Sequence, residues 1–195
     1  MADFLEEFMA NHGSEVSQQL SSHLGVDKKT AMQIIPQVVP LVMGGLKKQM
    51  DGGGADRANY ILNKHGNASA LDHIGSIFST AEKEENPDPG LGGLLGASGT
   101  QASNTLANNF KLDPSMAMKI IPMLAPIILG ALTKKRDTTG IGSGGIASLI
   151  DKNGDGNILD DVAGFFTGAL GGGGNKSGGG DDLLGSVLGG FLGKK

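Results

Sequence analysis

The chain of 195 residues contains no cysteine, and only 4% of its residues are aromatic. Without cysteine it can form no disulfide, no thiolate metal site and no cysteine nucleophile. Few aromatic side chains and a net charge of −4 argue against a surface that stacks bases and neutralises phosphates. We therefore expect no nucleic-acid partner. The acidic segment 1–13 also lacks the basic start and apolar core of a secretory signal, so we expect a cytoplasmic location.

Motifs for catalysis are missing as well. The sequence has no nucleophile elbow with a Ser–His–Asp order and no phosphate-cradling glycine loop that ends in Lys-Ser or Lys-Thr. No histidine lies near the acidic cluster of the second half. We therefore expect a protein that is not an enzyme.

The chain contains an internal duplication. Residues 17–51 align with residues 103–137 after a shift of 86, with identity at 13 of 35 positions, and residues 61–79 align with 149–167 after a shift of 88. The chain has 34 glycines, and some of the glycine-rich stretches are typical of linkers. The predicted organisation is a first helix (1–16), a helical repeat (17–82), a Gly/Pro linker (83–101), a second helical repeat (102–170) and a Gly-rich tether with an apolar tail (171–195).

Hydrophobic periodicity predicts an all-α fold, with the two repeats packed as a small bundle. A first helix over 3–11 is expected to end at Gly13, and a second over 16–24 to begin at Ser14 and stop at Gly25. In each repeat the long apolar segment has an aspartate N-cap, Asp27 or Asp113. Short helices are expected at about 55–64 and 144–150, and last helices at about 70–82 and 159–170.

The apolar segments 31–46 and 117–132 are hydrophobic nearly all round, as in helices at the centre of a bundle. Each is sixteen residues long, short of the roughly 20 that cross a bilayer, which argues against a membrane span. Each also carries a Pro-x-x-x-Pro pair, at 36 and 40 or at 122 and 126, that is expected to bend or break the helix.

The loop DKNGDGNILDDV at 151–162 resembles a calcium loop, in which alternate oxygens surround the ion and a glycine at the sixth position permits the turn. Position 12, normally an acidic bidentate ligand, is Val162, so either Asp160 or Asp161 closes the loop earlier, which we favour, or the site is incomplete and weak. The predicted cofactor is one Ca²⁺, and magnesium fits less well because it retains its waters. The predicted ligands are Asp151, Asn153, Asp155, Asn157 through its backbone carbonyl, Asp160 and Asp161.

Two other interpretations of these residues remain open. The same segment could be only an Asx turn and a helix cap, since Asn, Asp and Gly favour turns for local reasons. The first copy, NKHGNASALD at 63–72, has a single carboxylate and is expected to bind no calcium. In that copy His65, Asp72 and His73 could form a transition-metal site, but we favour ordinary histidines of a loop and a helix surface.

The Gly/Leu-rich tail at 181–195 is the other candidate for function. If helical, it would place Leu184, Val187, Leu188 and Phe191 on one face. It could meet a protein partner, associate with a second copy, dock on the protein's own core or touch a membrane, or it could be inert. An envelope- or membrane-associated assembly protein without a functional metal is therefore the alternative to a calcium-binding structural or interaction module.

The segments IIPQVVPLVMGGL and IIPMLAPIILGAL, the Gly-Leu-rich stretches and the acidic loop together resemble the YidB-like family of bacterial proteins of unknown function. The resemblance covers residues 17–170. It implies a small all-helical fold with no assigned activity. It also implies an acidic loop followed by two aspartates, which matches Asp151, Asn153, Asp155, Asp160 and Asp161.

Overall fold

The computed structural model describes the backbone of residues 2–140 and the side chains of residues 4–54 and 56–140. Within this range the chain is all-helical and has no strand, which confirms the predicted fold class. The elements are α1 (Ala2–Phe8), a π-helix (Met9–Gly13), α2 (Ser14–Leu24), α3 (Lys28–His65), a 3₁₀ helix (Ala68–Asp72), α4 (Ile74–Glu82), α5 (Ala97–Phe110) and α6 (Pro114–Thr139).

The core forms where the two long apolar helices, α3 and α6, pack against each other. Around this pair, α2 packs on α3, α5 packs on α6, and α4 contacts both α2 and α6. The fully buried side chains of the two long helices are aliphatic or Met, with no charged group among them. They include Ile34, Ile35, Val38, Val42, Met43 and Leu46 of α3 and Ile120, Ile121, Met123, Leu124, Ile127 and Ile128 of α6.

The predicted aspartate caps of the long helices are confirmed. The Asp27 carboxylate accepts a hydrogen bond from the Thr30 amide at 3.0 Å, and that of Asp113 accepts one from the Ser115 amide at 2.8 Å. Each cap satisfies an amide that would otherwise lack a helical partner. The preceding helix ends at a left-handed residue in both cases, Gly25 with φ 66° and Lys111 with φ 53°.

The predicted break at Gly13 is wrong. Gly13 has φ −57° and ψ −39°, and Ser14 has φ −66°, so the backbone stays helical from α1 through the π-helix into α2. Ser14 is therefore not an N-cap, because a cap residue has non-helical dihedral angles. Phe8 and Val16, on either side of the junction, are both buried in the core, and this shared burial favours continuation over termination.

Of the two expected effects of the prolines, a bend or a break, the break does not occur. α3 keeps helical dihedral angles through Pro36 and Pro40 and departs from them only at Gly54, with φ 70° and ψ −172°. α6 likewise continues through its two interior prolines, Pro122 and Pro126. Burial of the surrounding aliphatic residues outweighs the backbone hydrogen bonds that each proline removes. The helix predicted at 55–64 does begin after Gly54.

Two further boundaries differ from the prediction. The last helix of the first repeat, expected at 70–82, is divided into the 3₁₀ helix and α4, with His73 between them at φ −132°. The predicted linker 83–101 is partly helical, because α5 begins at Ala97. Its Leu94 and Leu95 are buried in the core, so this stretch packs as part of the fold.

α6 is 26 residues long, which removes the argument from length against a membrane span. By length and composition it is the one helix among residues 2–140 that could cross a bilayer, since an 18-residue window of it has a mean hydropathy of 1.8. However, 67% of the relevant window is buried inside the fold. A helix that is hydrophobic all round is also what the centre of a bundle requires.

The Asp113 cap makes a testable contribution to stability. Hydrogen bonds from Ser115 hold the pKa of the Asp113 carboxyl below its ordinary value of 3.8. A carboxyl group whose pKa is lowered by folding stabilises the fold above its unfolded pKa, and this stability is lost as the pH falls through the folded pKa. We expect Asp113→Ala to lower the free energy of unfolding at pH 7, and the difference from wild type to shrink below pH 3.8.

Urea unfolding at a series of pH values measures this difference. Asp113→Asn is the control, because its side-chain oxygen still accepts from the Ser115 amide but does not titrate. A deficit of Asp113→Ala that stays constant down to the lowest pH would contradict the role given to the carboxylate.

Candidate metal centre

The six predicted calcium ligands lie outside the described residues. They are Asp151, Asn153, Asp155, Asn157, Asp160 and Asp161. The described part does include their counterpart in the first copy, residues 63–73, which corresponds to 151–161 after the shift of 88. The geometry of this counterpart loop shows how the fold joins two helices at such a segment.

The counterpart loop is a tight connection with a side-chain cap. α3 ends at His65, and the Gly66 amide donates to the Leu62 carbonyl at 2.7 Å. The Asn67 side-chain oxygen then accepts from the Ser69 amide at 3.0 Å and caps the 3₁₀ helix. Asn67 corresponds to Asp155, so the Asx-turn interpretation has a physical precedent in this fold.

An Asx cap at this position does not exclude a cation. An ionised aspartate has two oxygens and about four acceptor sites, so one oxygen can cap an amide while the other faces an ion. The amide side chain of Asn67 has a single oxygen, and the Ser69 amide already donates to it. The change from Asn67 to Asp155 adds a second side-chain oxygen and a negative charge, both of which favour a cation.

The counterpart loop packs directly on α6, backbone against backbone. A Cβ atom at Gly66 would lie 2.8 Å from the Leu129 carbonyl oxygen. From the other side, a Cβ atom at Gly130 would lie 2.7 Å from the Asn67 carbonyl oxygen. Only glycine permits this approach, so the two glycines fix the position of the loop on the core.

The first-copy residues do not converge on one point. Asn63 and His65 both belong to α3, and helical residues two positions apart do not face the same side. Among the described side chains, residues 4–54 and 56–140, no group of three or more His, Asp or Glu could hold a metal ion, and this includes His65, Asp72 and His73. Burial, followed by the nearby Lys64 ammonium, lowers the pKa of His65.

This geometry sets a condition on the second copy. If the helix before the acidic loop extended as far as α3 does, Asp151 and Asn153 would point in different directions. A calcium site needs that helix to end earlier. The second copy has the residues for an earlier end, since Asn153 replaces His65 and Gly156 replaces Ala68.

Sequence reasoning missed a second feature, a cavity of about 350 Å³ beside the last turns of α6. Its lining includes the charged side chains of Glu7, Lys134 and Lys135 and the imidazole of His12. The only signal in the sequence was the basic run at 134–136, which by itself is typical of a helix carboxyl terminus.

The described residues define a protein whose helices enclose a pair of buried apolar helices. In a comparison with known families, one described as "Bacterial protein of unknown function (DUF937)" matches residues 6–135 and again residues 132–193. Because the first match covers more than half of the chain, the protein belongs to the DUF937 family. The YidB-like resemblance is consistent with this family. Comparisons with curated proteins and with solved structures found no match.

The contact between α6 and the counterpart loop predicts the effect of Gly130→Ala. The added methyl group would collide with the Asn67 carbonyl, a backbone atom that cannot rotate away. We expect a loss of roughly 1–3 kcal/mol in the free energy of unfolding, as for other overpacked sites.

Gly52→Ala in α3 is the matched control. A Cβ atom there meets nothing within 4 Å, so alanine should be neutral or stabilise the fold by up to about 1 kcal/mol. Thermal unfolding followed by circular dichroism compares the two variants. A Gly130→Ala protein as stable as Gly52→Ala would show that the close approach is not required.

Proposed function

We propose that the protein is a non-enzymatic structural or interaction module that binds one Ca²⁺ in the loop 151–162. In this proposal Asp151, Asn153 and Asp155 supply side-chain oxygens and Asn157 supplies its backbone carbonyl. Asp160 or Asp161 closes the site at the start of the following helix. We also propose a cytoplasmic location and, as partner, another protein or a second copy of the chain.

The observation that carries the proposal is the difference between the two copies of the loop. The first copy has one carboxylate, Asp72, where the second has four within eleven residues. Like charges this close repel one another unless a cation lies between them. Calcium takes six to eight oxygen ligands, and the aspartate and asparagine side chains of this loop supply oxygen. The donor set therefore fits Ca²⁺.

The expected effect of calcium is to order the carboxyl half of the protein. The ion would join the helix predicted at 144–150 to the one predicted at 159–170. The counterpart loop supports this role, because in the first copy the equivalent segment holds α3 and the 3₁₀ helix against α6 through Gly66 and Gly130. In the first copy backbone packing holds the neighbouring helices together. In the second copy a bound metal would contribute to the same task.

The alternative is an envelope- or membrane-associated assembly protein that acts through its tail, 181–195, without a functional metal. The length and hydropathy of α6 give it some support, but most of that helix is buried in the core. The tail is the remaining candidate for membrane contact, and a flotation assay with liposomes tests it directly.

Calorimetric titration of the full chain with Ca²⁺ tests the first proposal. We expect wild type to release or absorb heat with one site per chain, and Asp155→Ala to lose that signal because it removes a central ligand. Asp72→Ala removes the only carboxylate of the first-copy loop and should leave the titration unchanged.

An absence of heat in wild type and in both variants would overturn the calcium proposal. Flotation with liposomes that depends on residues 181–195, in the same calcium-silent protein, would then favour the alternative. Heat that survives Asp155→Ala but disappears in Asp72→Ala would place the ion in the first copy and contradict the proposal equally.

A further inference from the structure

The cavity noted above lies between the amino-terminal helices and the end of α6. Its volume is about 350 Å³, within the range of small-molecule sites, at the lower end. α1 and the π-helix line one side, the last turns of α6 line the other, and the 3₁₀ helix contributes Leu71. The cavity therefore joins elements that are far apart in the sequence.

The lining of the cavity has an apolar part. Phe4 and Phe8 have ring centroids 6.2 Å apart, and the two residues are only 3% and 2% exposed. Leu71 and Ala131 add aliphatic surface next to them. Because both rings are almost fully covered, only a small part of this apolar lining faces the cavity, and that part has no hydrogen-bonding group.

The charged part of the lining is net positive. Lys135 of α6 forms an ion pair with Glu7 of α1, which ties the two helices together. Lys134 lines the cavity beside this pair, and among the described residues no acidic group forms an ion pair with it. Two lysines and one glutamate leave one positive charge, which favours an anion.

His12 adds a polar group that responds to this charge. Burial and then the Lys134 ammonium lower its pKa, and Glu15 of α2 acts in the opposite direction. The imidazole is therefore neutral at pH 7 and has one N–H to donate. Its ring centroid lies 5.8 Å from that of Phe8, at the boundary between the apolar and the charged lining.

The π-helix brings Asn11 and His12 to the cavity. A π-helix has wider hydrogen-bonded turns than an α-helix. Such segments are rare in proteins, and many of those that occur lie at functional sites. Here the irregular segment coincides with the polar lining of the cavity. A continuous α-helix could have joined α1 to α2 with better hydrogen-bond geometry. A binding role for the cavity would explain why a π-helix is present instead.

We propose that this cavity is a binding site for a small amphipathic anion. The acidic group, a carboxylate or a phosphate, lies at Lys134 and the His12 N–H, and the apolar body packs on Phe4 and Phe8. The site shares no residue with the acidic loop and does not depend on calcium. The volume excludes a folded partner and suits a ligand the size of a short acyl chain.

The test uses the full chain with octanoate as the probe and octanol as its uncharged match. We expect octanoate to bind and octanol to bind at least tenfold more weakly, because only octanoate has a charge for Lys134. Lys134→Gln should lower the affinity for octanoate roughly tenfold and leave the Glu7–Lys135 ion pair in place. Lys64→Gln removes an equal charge beside Tyr60, outside the cavity, and should change nothing.

A second readout reports the position of the anion. Proton NMR titration of His12 should show its pKa rising when octanoate is bound, because a negative charge beside the imidazole favours its protonated form. Lys134 and Lys135 of α6, Glu7 of α1 and Glu15 of α2 are the other charged groups around this ring. Their contributions are present with and without the probe.

The remaining outcomes decide the proposal. Competition by inorganic phosphate would support it and assign a phosphate as the acidic group, and octanoate binding without such competition would support it and assign a carboxylate. Equal binding of octanol, equal binding to Lys134→Gln, or binding that leaves the His12 titration unchanged would overturn it. Failure of octanoate to bind the full chain, as when the chain's own residues fill the cavity, would overturn it too.

Discussion

The packing of α3 on α6 is the contact on which the rest of the structure depends. The segments 31–46 of α3 and 117–132 of α6 are mostly buried, and α3 and α6 contact each other as well as the shorter helices. Burial of each large aliphatic side chain contributes about 1.5–3 kcal/mol relative to exposure. Summed over this pair, that contribution exceeds the local cost of the interior prolines, which explains why Pro36, Pro40, Pro122 and Pro126 do not interrupt the helices.

Glycines at the surfaces of α6 and α5 then decide which segments can lie on these helices. Gly130 of α6 admits the carbonyl of Asn67, and Gly99 of α5 admits that of Pro89 in the connecting segment. Both contacts bring backbone from a non-helical segment onto a helix, where any side chain would keep it away. The loops are thus fixed by the helices they touch, and the calcium proposal extends the same idea to a loop that would also use a metal.

The sequence predicts those features of the fold that depend on neighbouring residues. The caps at Asp27 and Asp113 and the helix stop at Gly25 were predicted correctly, because each follows from hydrogen bonds or dihedral preferences within a few residues. Gly13 carried the same local signal but is helical, because burial on both sides of it prevailed.

The two proposed sites divide in the same way. The acidic loop is a local pattern and can be proposed from sequence, although the α3 geometry adds the requirement that the preceding helix end early. The cavity could not be predicted, because Glu7 and Lys135 are 128 positions apart and only the packing of α1 on the end of α6 brings them together. Lys134 and Lys135 of the basic run are far from His12 in the sequence, so only the folded structure shows that they line the same cavity.

Amide hydrogen exchange of the full chain, with and without calcium, tests the central claim that a core of two apolar helices supports a metal-dependent carboxyl half. The account predicts that amides of α3 and α6 exchange slowest and together in both conditions, while calcium slows exchange at 151–162. Fast exchange in α6 while α3 remains protected, or no effect of calcium at 151–162, would contradict it.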